Sequence, residues 1–76
     1  MWIYKSPVGE FKIIKERGAF NLYLGDNCLG SYESAIGAAD DVYLQHTGYT
    51  PWDNFEGVQD APTDIYEWQV LPDPRQ

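Results

Sequence analysis

The sequence predicts an α+β domain in which a three-stranded antiparallel meander packs against one α-helix and is followed by an ordered, aromatic C-terminal tail. Three observations carry that prediction. Apolar and polar residues alternate on either side of Arg17-Gly18, a short apolar run from Cys28 to Tyr32 follows a second turn signal, and Ser34 and Gly48 bracket a segment of helical spacing.

The first strand is expected over residues 10–17, with Phe11 and Ile13 on one face and Lys12, Ile14 and Glu16 on the other. Gly18 supplies the positive φ that a tight hairpin often needs. Phe20, Leu22 and Leu24 then alternate with Asn21 and Tyr23 as a second strand, and Gly25-Asp26-Asn27 turns the chain into a third, Cys28 to Tyr32. Ser34 is suited to accept hydrogen bonds from the free amides of a first helical turn, so the helix is expected from Ala35 to His46. At 3.6 residues per turn, Ala35, Ile36, Ala39, Val42, Tyr43 and His46 form one broad stripe, which is expected to face the sheet.

Beyond the helix the pattern weakens. Residues 50–57 carry turn signals and the rings of Trp52 and Phe55 without a sustained period, as in an ordered loop. Pro62 to Trp68 fits a single helical turn or a short strand, and Pro62 near its start favours the turn. Pro72 and Pro74 each remove a backbone donor, so residues 1–71 are expected to form one domain and 72–76 a frayed tail.

A chain of 76 residues buries only roughly 60% of the surface exposed by its unfolded form. Its three Trp, six Tyr and three Phe offset the small number of core positions, because each ring buries on the order of 150–250 Å². Cys28 is the single cysteine, which excludes an intrachain disulfide, a Cys-based zinc site and a two-cysteine redox motif, and favours a reducing cytoplasm. No run of about 18 apolar residues is present, so a soluble protein without membrane contact is expected.

The formal net charge of -7 is unevenly distributed. Residues 1–24 hold Lys5, Lys12, Lys15 and Arg17 against Glu10 and Glu16, whereas from residue 25 onward Arg75 is the lone cation among ten carboxylates. The field therefore repels polyanions except beside the first hairpin.

Candidate chemistry is sparse. Cys28 and His46 invite comparison with a nucleophile–base pair, but no third orienting group or oxyanion site accompanies them, and an imidazole near a helix C-terminus is explained by capping. Asp40-Asp41 with Asp53, Glu56, Asp60 and Asp64 lacks the spacing of a calcium loop and reads as a solvated acidic face. Neither an enzyme nor a bound cofactor or metal is expected.

The succession Cys28-Leu29-Gly30-Ser31-Tyr32-Glu33-Ser34, followed by Ala38-Ala39, Tyr43 and Asn54-Phe55, resembles the last strand and helix of the plant AP2/ERF DNA-binding domain. The resemblance spans residues 9–55 and implies the same sheet-and-helix fold. It also implies major-groove reading from the exposed sheet face, which that family performs with arginines and tryptophans. In this chain the comparable positions hold Lys12, Ile14, Glu16, Asn21 and Tyr23, and the nearest arginine is Arg17 at the turn. The segment Pro62-Thr63-Asp64-Ile65-Tyr66-Glu67-Trp68 is similar to the ending of a group of small bacterial proteins, which implies no activity.

Two functions of different class follow. One is a non-catalytic interaction domain that binds a protein partner through Trp52, Phe55, Tyr66 and Trp68 beside the acidic residues, an aromatic anchor with an anionic rim. The other is weak nucleic-acid binding through Lys12, Lys15, Arg17, Asn21 and Tyr23. A three-stranded sheet has two edges, so both a monomer and a homodimer are compatible with the sequence.

Overall fold

The computed structural model describes residues 1–56 and 61–72. The elements are β1 (Trp2–Ser6), β2 (Gly9–Glu16), β3 (Ala19–Leu24), β4 (Asn27–Tyr32), α1 (Ala35–Tyr43), α2 (Thr50–Asp53), a single 3₁₀ turn (Ile65–Glu67) and β5 (Gln69–Val70). The fold is α+β with one main helix. Its antiparallel sheet has five strands in the order β4-β3-β2-β1-β5, so the expected meander β2-β3-β4 is the larger part of a wider sheet.

Turn chemistry fixes the registers. Pro7-Val8 connects β1 to β2 with Ser6 opposite Gly9, and Ser6 Oγ donates to the Gly9 carbonyl at 2.6 Å. Between β2 and β3 both Arg17 (φ 53°) and Gly18 (φ 83°) are left-handed, the backbone of a type I′ turn, whose twist matches that of the flanking strands. The two extra strands close on each other at the chain ends. Trp2 pairs with Val70 and Ile3 with Gln69, and Met1 and Leu71 extend the pairing, the terminal amine donating to the Leu71 carbonyl at 2.6 Å and the Leu71 amide to the Met1 carbonyl at 2.8 Å.

The registers put Trp2, Tyr4, Phe11, Ile13, Lys15, Phe20, Leu22 and Leu24 on one sheet face. Helix α1 lies across β2, β3 and β4 on that face and contributes Ala35, Ala38, Ala39 and Val42 to a core with Phe11, Ile13, Leu22 and Leu24. Ser34 caps it as expected, accepting from the Gly37 amide at 3.0 Å. The buried stripe differs from the expected one, because Ile36, Tyr43 and His46 are exposed and Ala38 is buried. At about 100° per residue, an arc centred on the small Ala38-Ala39 pair leaves Ile36 and Tyr43 together on one flank.

The helix also ends at Tyr43 rather than His46. Gln45 adopts φ 60°, and its amide Nε2 donates to the Trp52 and Phe55 carbonyls, both at 2.7 Å. That turn carries the tail back over the β1 side of the core. The expected loop begins instead as the short helix α2, with Pro51 in its first turn, and Trp52 is fully buried against Phe11 and Tyr4 at centroid distances of 5.2 and 6.0 Å. Near the C-terminus, the expected helical turn is the 3₁₀ turn, capped by Asp64, whose side chain accepts from the Tyr66 amide at 3.0 Å. Gly57 at the end of the expected loop, and residues 73–76 of the expected frayed tail, lie outside the described residues.

Candidate interaction surface

The face of the sheet opposite α1 carries Lys5 on β1, Lys12, Ile14 and Glu16 on β2, Asn21 and Tyr23 on β3, and Ser31 on β4. Three strands are tied together there. Glu16 Oε1 accepts from Asn21 Nδ2 at 2.9 Å and from the Tyr23 hydroxyl at 2.6 Å, while Ser31 Oγ donates to Asn21 Oδ1 at 2.6 Å. The Glu16 carboxylate holds the Tyr23 hydroxyl above its ordinary pKa, first through the hydrogen bond and then through desolvation and charge. A shallow depression beside this network is lined by Glu16, Arg17, Ala19, Asn21 and Ser31.

Of the residues offered for nucleic acid, Lys12, Asn21 and Tyr23 thus share the open face, and Arg17 stands at the hairpin tip. Lys15 belongs to the other face, its Nζ 5.7 Å from the centre of the Phe20 ring. A carboxylate sits among these groups and engages the polar ends of both Asn21 and Tyr23.

The four tail aromatics separate just as clearly. Trp52 and Trp68 are core residues, with Trp68 5.6 Å from Tyr4 between ring centres. Phe55 is half-buried and leans on Trp52 at 6.4 Å. Tyr66, on the 3₁₀ turn, is 86% exposed.

Helix α1 and its C-cap carry three further exposed apolar residues. Ile36 is 56% exposed, Tyr43 46% and Leu44, its C-cap, 55%. Ile36 and Tyr43 are seven residues apart and Leu44 is one further, so the three stand on the outward side of two helical turns with the exposed Asp40 between them. The opposite flank is occupied. There Asp41 Oδ2 accepts from the Tyr32 hydroxyl at 2.8 Å, and burial, reinforced by that hydrogen bond, pushes the Tyr32 phenol well above its ordinary range. Sequence reasoning missed the outer flank by assigning Ile36 and Tyr43 to the core. The signal for it was the Ala38-Ala39 pair, which marks the closest approach of a helix to a sheet.

The remaining polar candidates have structural partners or stand apart. Asp53 accepts from the Thr47 amide and hydroxyl and from the Gly48 amide at 2.8–2.9 Å, and Glu67 accepts from the Thr63 amide and hydroxyl at 3.0 and 2.9 Å. Asp60 lies outside the described residues. Cys28 is exposed on β4, and His46 is exposed past the end of α1. Among the described residues, no three His, Cys, Asp or Glu side chains converge as metal ligands would, and no helix is long and apolar enough to cross a membrane.

Compared with protein-family models, curated proteins and solved structures, the chain has no match.

Proposed function

We propose that this chain is a small non-catalytic interaction domain that binds a protein partner through the outer flank of α1. The observation that supports this reading is the exposure of Ile36, Tyr43 and Leu44 on a helix whose inner side is already filled by alanines and Val42. A side chain of this size contributes about 1.5–3 kcal/mol when fully removed from water, and roughly half of that is still available at each position. Tyr43 adds a rigid ring with a polar tip, a residue type enriched among interface anchors. Asp40 and the carboxylate excess from residue 25 onward favour a partner with a basic rim, steering it and setting its orientation. Tyr66 is the member of the original aromatic set best placed to contribute. The reading places the protein in a reducing cytoplasm, where the exposed Cys28 thiol persists.

A second reading, nucleic-acid binding through the β2–β3 hairpin, is favoured by Lys12, Asn21 and Tyr23 sharing the open sheet face. The AP2/ERF-like spacing belongs with it. With Lys15 on the other face, the few cations left on the open face and at the hairpin tip would give a modest, salt-sensitive affinity, with each neutralised phosphate contributing about -0.9 to the salt slope.

A photo-crosslinking residue placed at Leu44, and separately at Lys12, distinguishes the two in the cell. The first reading expects a discrete protein adduct from position 44 that disappears in the Ile36→Asp background. A nucleic-acid adduct from position 12, with none from 44, would replace it by the second.

A further inference from the structure

The two edges of the sheet are unequally protected. At one edge β5 is only two residues long, is followed by Leu71-Pro72, and is clipped to the N-terminus through Met1 and Leu71. At the other, β4 runs for six residues, Asn27–Tyr32, without a charge or a proline, and Asn27, Cys28 and Ser31 are exposed. A strand pairs on one side only at such an edge, so the outward amides and carbonyls of β4 meet no neighbouring strand among the described residues. Charge begins abruptly at its ends, with the exposed Asp26 before β4 and the exposed Glu33 after it.

We propose that β4 is a strand-addition site for an extended segment of a partner protein, uncharged over about six residues and flanked by Lys or Arg at both ends. Backbone pairing supplies affinity without regard to side chains, and the terminal cations meet Asp26 and Glu33. Charge complementarity selects this occupant over a second copy of the chain. In an antiparallel β4–β4 pair Asp26 of each copy approaches Glu33 of the other, which sets like charges together at both ends of two molecules that each carry -7. The bulge between the Leu22–Gly30 and Tyr23–Cys28 pairs acts in the same direction. It twists the edge, which opposes the docking of a second rigid sheet, whereas a single flexible strand can follow it. Side chains of the incoming strand that fall on the open face lie beside Ser31 and the Asn21 depression, which suits Ser, Thr or Asn there. This surface is independent of the outer flank of α1.

The test is an amide NMR titration of the intact protein with two synthetic peptides, each of alternating Thr and Val over six residues, one ending in Lys at both termini and the other in Glu. The Lys-ended peptide is expected to shift the amides of residues 27–32, to slow hydrogen exchange at alternate positions among them, and to bind about ten-fold more tightly than the Glu-ended one at low salt. The double variant Asp26→Lys/Glu33→Lys, at two exposed positions, is expected to reverse that preference. Three outcomes overturn the proposal: no binding of either peptide at millimolar concentration, shifts confined to residues 36–44, or a concentration-dependent dimer that perturbs residues 27–32 without peptide.

Discussion

The Trp52 indole donates its Nε1 hydrogen to the carbonyl of Val42 at 2.9 Å, and both residues are completely buried. This bond fastens the tail to the last buried residue of the helix and closes the core above Phe11. Trp68, by contrast, has its Nε1 buried with no acceptor among the described residues. The two tryptophans therefore respond differently to the same substitution. Trp52→Phe loses volume and a satisfied buried donor and is expected to cost about 2–3 kcal/mol, while Trp68→Phe removes an orphaned donor along with its volume and is expected to cost less than about 1 kcal/mol. Urea unfolding followed by far-UV circular dichroism gives both values, and equal losses would show that volume alone decides.

Arg17 sits at φ 53° in a turn that needs positive φ at both central positions. An unbranched long side chain bears a cost there that Asn largely avoids. Arg17→Asn is expected to raise stability by about 0.5–1 kcal/mol, and Gly18→Ala, at φ 83° with open space around it, to lower it by about 1 kcal/mol or more. Thermal unfolding of the two variants reads the opposite signs directly.

How much of this was legible in the sequence follows from how local each signal is. Residues 9–32 gave up their strands because alternation and turn residues act over a few positions. Strand β1 escaped because Ile3 is buried on the otherwise open face while Trp2 and Tyr4 serve the core, so apolar residues follow one another and the two-residue period is hidden. Strand β5 is too short to have a period, and it exists because the chain ends meet, a contact across 70 residues. On α1 the cap and the helix itself were readable, but a stripe of mixed small and large residues does not say which flank turns outward. Of the candidate surface, the acidic bias was visible in the sequence, whereas the exposure of Leu44 and the burial of Trp52 depend on the fold-back at Gln45.

Asp53 organises that fold-back by accepting three hydrogen bonds from Thr47 and Gly48. Thr47 is buried, so its amide and hydroxyl lose their partner together when the carboxylate is removed. Asp53→Ala is expected to cost about 2–3 kcal/mol and to raise the proteolysis rate between residues 45 and 50. Asp53→Asn retains one acceptor oxygen and should lose about half as much, measured by the same unfolding titration.

The Tyr32 hydroxyl donates to Asp41 and joins β4 to the helix that follows it. Partial burial first, then the hydrogen bond and the Asp41 charge, raise its pKa above the ordinary 10.0, and Tyr23 is raised as well by its bond to Glu16. Above about pH 10 the unfolded chain releases these protons while the native state keeps them, so the native state binds more protons and stability falls as pH rises. The contribution is complete below the unfolded pKa and is lost progressively toward the native one. Urea midpoints measured at about pH 9 and about pH 11 should therefore drop in the wild type more than in Tyr32→Phe, whose remaining drop belongs to Tyr23 and the other tyrosines. An identical drop in the two proteins would mean that the Tyr32–Asp41 bond does not couple ionisation to folding.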